Sequence, residues 1–346
     1  MKKKIEVSGW FILALLVWAG ILSVTEARAA DKALIDGAKK EGKFVLYSSM
    51  PTEPAVAHLD AFRKKYPFLD TCEFFRSTSY KVYSSLNIEM EAGKHIADVV
   101  HIGLASAPIE WRKKGWLMKY DSPVYAGYPD KVIDRGYWAP MRTFAIVMAY
   151  NKSLLPASEV PKKWSDLANP KWKDQIGLEG ADSGSQHLQY YALKNVLGGS
   201  FWDKITQNKP KVFSGAGAMI TGLLRGEIKI AMCSYCYTVY EYREIQKAPI
   251  EGVWPEEGVP INIAPLTTID KAPHPNAAKL FMDWSLSQEG QMEMVKIVGA
   301  YSGRPDVPSA KGNPAWGSFK PLYVENWIEF DKTQEEFKRV WQAIAK

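Results

Sequence analysis

Thr143-Phe-Ala-Ile-Val-Met-Ala-Tyr150 decides how this chain is read. It is a continuous apolar run, opened by Pro140 and closed by Asn151-Lys-Ser153. A run this short, with turn signals at both ends, reads as a buried strand rather than a helix. It lies mid-chain, and Asn262-Ile-Ala-Pro-Leu-Thr-Thr268 is a second run of the same kind. We read the first as a strand that leaves one α/β lobe for another, and the second as the return. A chain so built has a cleft between its lobes, and the cleft carries the function. The plainer reading is an ordinary core strand in a single sheet.

On either side of this run the sequence repeats one logic. Lys43–Tyr47, Thr71–Phe75 and Ala97–Ile102 read as strands. Each is followed by a small polar loop (Ser48–Thr52, Arg76–Ser79, Gly103–Pro108) and then by a helical pattern. Beyond the central run, Gln175–Leu178 with Glu179–Ser185, and Lys211–Phe213 with Ser214–Gly217, do the same, and Ile228–Met232 is a further strand. Strand, loop and helix in repetition build a parallel α/β sheet. The loops then share one sheet edge, where helix N-termini present free N–H groups and favour anions. A Ser or Thr at such a place is also what an ordinary N-cap looks like. Asn276 reads as the cap of a helix running to Leu286, Ser287 begins another, and the tail from Tyr323 is amphipathic and helical.

The 346 residues suggest two domains, and 47% hydrophobic with 24% charged residues is an ordinary globular composition. Lys2-Lys-Lys4, the apolar Trp10–Leu22 and Ala27-Arg-Ala29 have the form of a secretory signal peptide cleaved near Ala29. The alternative is an uncleaved N-terminal anchor. Loss of residues 1–29 lowers the formal charge from +6 to +4, a mild excess without a concentrated basic patch, so nucleic acid is not an expected partner. Cys233-Ser-Tyr-Cys236 has CxxC spacing. It follows an apolar strand, and a single pair supplies only two metal ligands, so structural thiols or a local disulfide are expected.

Several stretches, in order, resemble the periplasmic solute-binding proteins of ABC importers, family 1, whose members include ferric-iron, phosphonate and thiamine binders. They include Phe44-Val-Leu-Tyr-Ser48, Ala61–Pro67, Ala97-Asp-Val99, Ala149-Tyr-Asn151, Lys163–Leu167, Asn169–Trp172, Trp254–Gly258, His274–Phe281 and Ser287–Gln291. The resemblance implies a two-lobed α/β fold of the type II periplasmic-binding class, with a hinge of crossing strands. It also implies a guest trapped by lobe closure, a permease in the inner membrane as partner, and a monomer in the periplasm. The expected division is 30–142 with 268–310 as the first lobe, 143–267 as the second, and 311–346 as a C-terminal helical segment.

Ferric-binding relatives hold the metal with adjacent tyrosines, a His and an acid. This chain has Tyr235-Cys236-Tyr237 there, which on a strand would point both phenols one way, and Pro51 near the His position. Fe(III) on Tyr235 and Tyr237 is therefore the second reading. The first is a small organic anion, a carboxylate or phospho-compound, without metal or cofactor. Its expected donors are Ser48, Ser49 and Thr52; Arg76, Ser77, Thr78 and Ser79; Ser183, Gly184 and Ser185; and Ser214 and Gly215, with Tyr235 and Tyr237 covering the guest. A secreted hydrolase is the rival class. No G-x-S-x-G, H-E-x-x-H or P-loop occurs, so no enzyme is expected.

Overall fold

A computed structural model describes residues 32–344; the signal-peptide reading falls on residues outside this range. A helix, α1 (32–41), leads into β1 (Lys43–Ser48), α2 (Thr52–Lys65), β2 (Thr71–Arg76), α3 (Ser79–Glu91), β3 (Val99–His101) and α4 (Ala107–Lys113). β1 pairs in parallel with β2 on one side and β3 on the other. Parallel neighbours need a crossover helix, which is what the alternating pattern supplies.

The central strand, β4 (Trp138–Asn151), is longer than its apolar run. From Trp138 to Ala145 it pairs antiparallel with β9 (Val259–Thr268), which in turn pairs with β3. From Ile146 to Tyr150 it pairs with β7 (Ile230–Tyr235), and from Met148 to Asn151 with β8 (Ile250–Val253). One strand thus belongs to two sheets, and this makes the molecule two-lobed with crossing strands between. The register of β4 on β9 slips between Pro140 and Arg142, where Pro140 faces Pro265. Neither proline has an N–H to donate, so the ladder breaks there. A bulge of this kind re-aims the side chains beside it.

The second lobe contains β5 (Ile176–Glu179), α5 (Gly184–Leu197), α6 (Gly199–Gln207), β6 (Lys211–Phe213), α7 (Ala216–Leu224), β7 and α8 (Cys236–Tyr240). β5 lies parallel between β6 and β7. The strand order overall is β2-β1-β3-β9-β4-β7-β5-β6. α9 (Pro275–Leu286) and α10 (Gln288–Val298) return to the first lobe, where Phe281 packs on Phe44 and Phe62 with ring centroids 4.9 and 5.1 Å apart. β10 (Pro321–Leu322) extends β9 at its start. α11 (Trp327–Lys332) and α12 (Gln334–Ile344) then lie on the second lobe, with Phe337, Trp341 and Ile344 in one core with Tyr190 and Trp202. The indole of Trp341 donates to the Glu179 carbonyl at 2.7 Å.

Three local expectations are corrected. Tyr235-Cys236-Tyr237 is not a strand, because β7 ends at Tyr235 and a helix starts at Cys236. Asn276 is not the cap of α9; the helix begins at Pro275, and the Asn276 side chain donates to Glu41 of α1. Cys233 and Cys236 are buried free thiols, so the local disulfide is absent.

Candidate functional site

Residues after β2, β3 and β5 line one cavity and Pro51, after β1, lines another; several of the loop hydroxyls already have partners inside the protein. Ser48 is fully buried; its Oγ lies 2.9 Å from His101 Nδ1 and accepts from Met50 N–H. It has no surface left for a guest, which corrects its place among the direct donors. Ser49 accepts from Gly103 N–H. Thr52 is exposed at the first turn of α2, and Thr78 caps α3 through Lys81 N–H. The N–H of Ser77 donates to the Ser48 carbonyl. Arg76 is exposed, with Nε directed at the Met50 carbonyl at 3.4 Å. Ser214 is exposed, and Gly215 precedes α7; neither lines the cavities described below.

A first cavity, of about 360 Å³, lies between Ser79 and Gly103 of the first lobe and Ser183, Gly184 and Ser185 of the second. Tyr235 and Asn262 of the crossing region line it too, the Asn262 amide donating to the Tyr235 hydroxyl at 3.2 Å. Its far wall is the C-terminal segment, through Trp327, Phe330 and Asp331. Ser183 caps α5 through Gln186 N–H, and its hydroxyl donates to the Glu179 carboxylate at 2.5 Å; Ser185 donates to the same oxygen at 3.2 Å. Burial raises Glu179 above the usual carboxylate range, and these two hydroxyls pull it partly back.

A second cavity, of about 580 Å³, opens on the other side of the tyrosine pair. Tyr235 faces the first and Tyr237 the second, and their rings stack 5.2 Å apart, both against Phe144 at 5.3 Å. The second cavity runs between Pro51, Pro54 and Ala57 at the start of α2 and Ile245 beyond α8, with Val298 at the end of α10. At its inner end is Arg142, the residue beside the β4 bulge, only 6% exposed.

Arg142 was not legible as a site residue in the loop pattern, although a lone charge inside an apolar strand is itself a signal. Its Nε donates to His101 Nε2 at 3.3 Å, and its guanidinium lies 4.9 Å from the Phe144 ring centroid. An arginine can only donate, so Nε2 is the accepting nitrogen and the Nδ1 proton goes to Ser48. Burial, with the Arg142 charge next, holds His101 well below its ordinary pKa, and it is neutral. No carboxylate pairs with Arg142 among the described residues, and neither Nη has a hydrogen-bond acceptor there. Burial pushes Arg142 down to about 10, which leaves it charged at neutral pH. The Tyr237 phenol, pushed up to about 12 by burial against the opposing pull of Arg142, remains protonated and a donor.

The fold and the cleft together define a two-lobed binding protein, with donors converging where the lobes face each other. The chain belongs to the bacterial extracellular solute-binding protein family, whose profile matches residues 98–322. It is the substrate-binding component of an ABC importer. An uncharacterized protein of Haemophilus influenzae is 27% identical over 292 residues, 78% of this chain and 80% of that one. Among solved structures, iron-bound HitA from Pseudomonas aeruginosa superposes with a TM-score of 0.73 at 18% identity, over 88% of this chain and 99% of that one. AfuA from Actinobacillus pleuropneumoniae, with fructose-6-phosphate bound, gives 0.68 at 21%, over 87% and 97%. A Trichodesmium protein with iron and citrate gives 0.71 at 21%, over 88% and 99%.

Proposed function

We propose that this importer component captures a small organic anion between its lobes and delivers it to the inner-membrane permease, acting as a monomer after cleavage near Ala29. The observation that carries the reading is the buried guanidinium of Arg142, with no carboxylate partner among the described residues. A buried charge is costly unless it is paired, and an anionic guest supplies the pair. Arg142 and Tyr237 are its first donors. Ser79, Ser183, Gly184, Ser185 and Tyr235 act where the guest extends into the first cavity, and Ser48 acts through His101. We divide the lobes as 30–142 with 268–310 against 143–267, with 311–346 packed on the second.

Fe(III) is the competing guest, favoured by the two stacked phenols and by the iron bound to two of the similar structures. Against it stand the positive charge of Arg142 beside both phenols and the absence, among the described residues, of any group of three His, Cys, Asp or Glu able to hold a metal. A phenol must also lose its proton to bind iron, and burial opposes that for Tyr235 and Tyr237 alike.

A thermal-shift screen over carboxylates, phosphonates, phospho-sugars and Fe(III) tests the proposal. A true guest at a hundred times its Kd adds about 2.7 kcal/mol of stability. A shift with an organic anion supports the reading, and a shift with Fe(III) alone overturns it.

A further inference from the structure

The second cavity has a composition that says more about the guest than its charge. Apart from Arg142 and Tyr237 at its inner end, its walls are largely apolar: Pro51, Pro54, Ala57, Ile245, Ile297 and Val298. Glu53 and Glu241 are exposed among its lining residues, and neither forms an ion pair with Arg142. The unpaired Nη groups of Arg142 and the Tyr237 hydroxyl, which has no hydrogen-bond partner among the described residues, are the free donors at its inner end; Gln246, which also lines it, donates its amide to Glu241 at 3.2 Å. One guanidinium and one neutral phenol match a single negative charge. Two exposed carboxylates repel a guest carrying more.

Resting on the anion reading above, we propose that the guest is an amphipathic monocarboxylate. Its carboxylate pairs with the Arg142 Nη groups and the Tyr237 hydroxyl, and its apolar body lies along Pro54, Ala57, Ile245 and Val298. The end that reaches Glu53 and Glu241 is neutral or cationic. Arg142 is held for this indirectly: the β4 bulge aims it, His101 Nε2 accepts a hydrogen bond from its Nε–H, and Ser48 holds His101. A phosphate group, with up to two charges, leaves one unmatched here. The hydroxyl-lined cavity on the other side of the tyrosines is then not where the head group binds.

The test is calorimetry with the mature protein and a straight-chain series from acetate to octanoate, with inorganic phosphate, fructose 6-phosphate and Fe(III) citrate beside it. Each added methylene buried against these walls raises affinity about fourfold, until the cavity is filled. Arg142→Gln weakens binding of the whole series roughly 100-fold. Ala57→Trp, at an exposed helix position, narrows the cavity and abolishes the chain-length dependence without unfolding the protein. A flat series, or binding of fructose 6-phosphate in preference to every alkanoate, overturns the monocarboxylate proposal while leaving an organic anion as the guest; binding of inorganic phosphate in preference to every organic anion overturns the organic-anion reading as well. Binding of Fe(III) alone, or of no anion, overturns both.

Discussion

The two cavities flanking the stacked tyrosines are made of opposite materials, and the contrast explains where a guest is held. The first is rich in hydroxyls, but several already serve the fold: Ser183 and Ser185 hold Glu179, and Asn262 holds Tyr235, while Ser79 and Tyr80 keep theirs. The second has fewer polar groups, and at its inner end two are unspent: Arg142 is buried without a counter-charge among the described residues, and the Tyr237 hydroxyl is unclaimed there. A ligand is bound by the interactions a protein leaves unmade rather than by those it has completed, since an unsatisfied buried group gains most from a partner. Hydroxyl-rich loops at helix starts are therefore weaker evidence for a site than a single stranded charge.

The most severe way to break the contrast is to remove the wall of the hydroxyl-lined side. Trp341 is 1% exposed, packs on Trp202 and Phe337, and anchors α12 to the carbonyl of Glu179. Trp341→Ala should cost about 3–5 kcal/mol of stability in denaturant unfolding. Anion affinity, measured below the new melting point, should change little. A loss of affinity as large as the loss of stability would move the site to the first cavity. Arg142→Gln should do the reverse: a roughly 100-fold loss of affinity by calorimetry, as for truncating one partner of a buried charge pair, with a melting temperature of the empty protein unchanged or higher.

How much of this was legible beforehand follows from what each feature depends on. β1, β5 and the two crossing strands were readable because a short apolar run between turn residues has few alternatives. The start of β4 was not, because Pro140 looks like a boundary; it is tolerated only because Pro265 faces it across a bulge. The helix at Cys236 was missed because Tyr-Cys-Tyr alternates as a strand would, while the chain turns at Tyr235. The tyrosines nevertheless stack, through a different backbone route. Ser48 was read as a donor because position in a loop shows proximity to the cleft but not direction. Its hydroxyl turns inward to His101, which is 53 residues distant in sequence. The role of the C-terminal helices as a cleft wall depends on long-range packing that amphipathicity alone does not specify.

Acid should separate the two lobes of the cleft. His187 of α5 lies between Phe330 and Phe337, with ring centroids at 4.3 and 5.0 Å, and its Nε2 is 2.8 Å from Thr333 Oγ1. Burial pushes its pKa down to about 4, and that of His58 in the first lobe to about 3, with the Arg142 charge adding to the latter. The unfolded chain takes up these protons near pH 6.5 and the folded one only below the depressed values. The stability each contributes is complete above pH 6.5 and is lost as pH falls towards about 4 for His187 and about 3 for His58. Each neutral buried histidine adds up to about 1.4 kcal/mol per pH unit to the slope inside its window. His187→Phe should therefore flatten the fall in stability between pH 6 and 4 in denaturant titrations. An unchanged slope would mean that the C-terminal helices are not held through a neutral imidazole.

The smallest expected effect is the most direct test of the hydroxyl side. Ser183→Ala removes the cap of α5, for about 1 kcal/mol, and takes one of two hydroxyl donors from Glu179. With less hydrogen bonding to its charged form, the Glu179 pKa should rise further, since burial is the larger influence. A carboxyl raised in the folded state stabilises it at acid pH, and that contribution is lost as pH rises through the folded value. The stability deficit of the variant should thus be smaller at pH 4 than at pH 7, because a protonated Glu179 needs no donors. If Ser183 instead spends its hydroxyl on the guest, the deficit will be the same at both pH values and anion affinity will fall with it. That pair of results would return the head group to the first cavity.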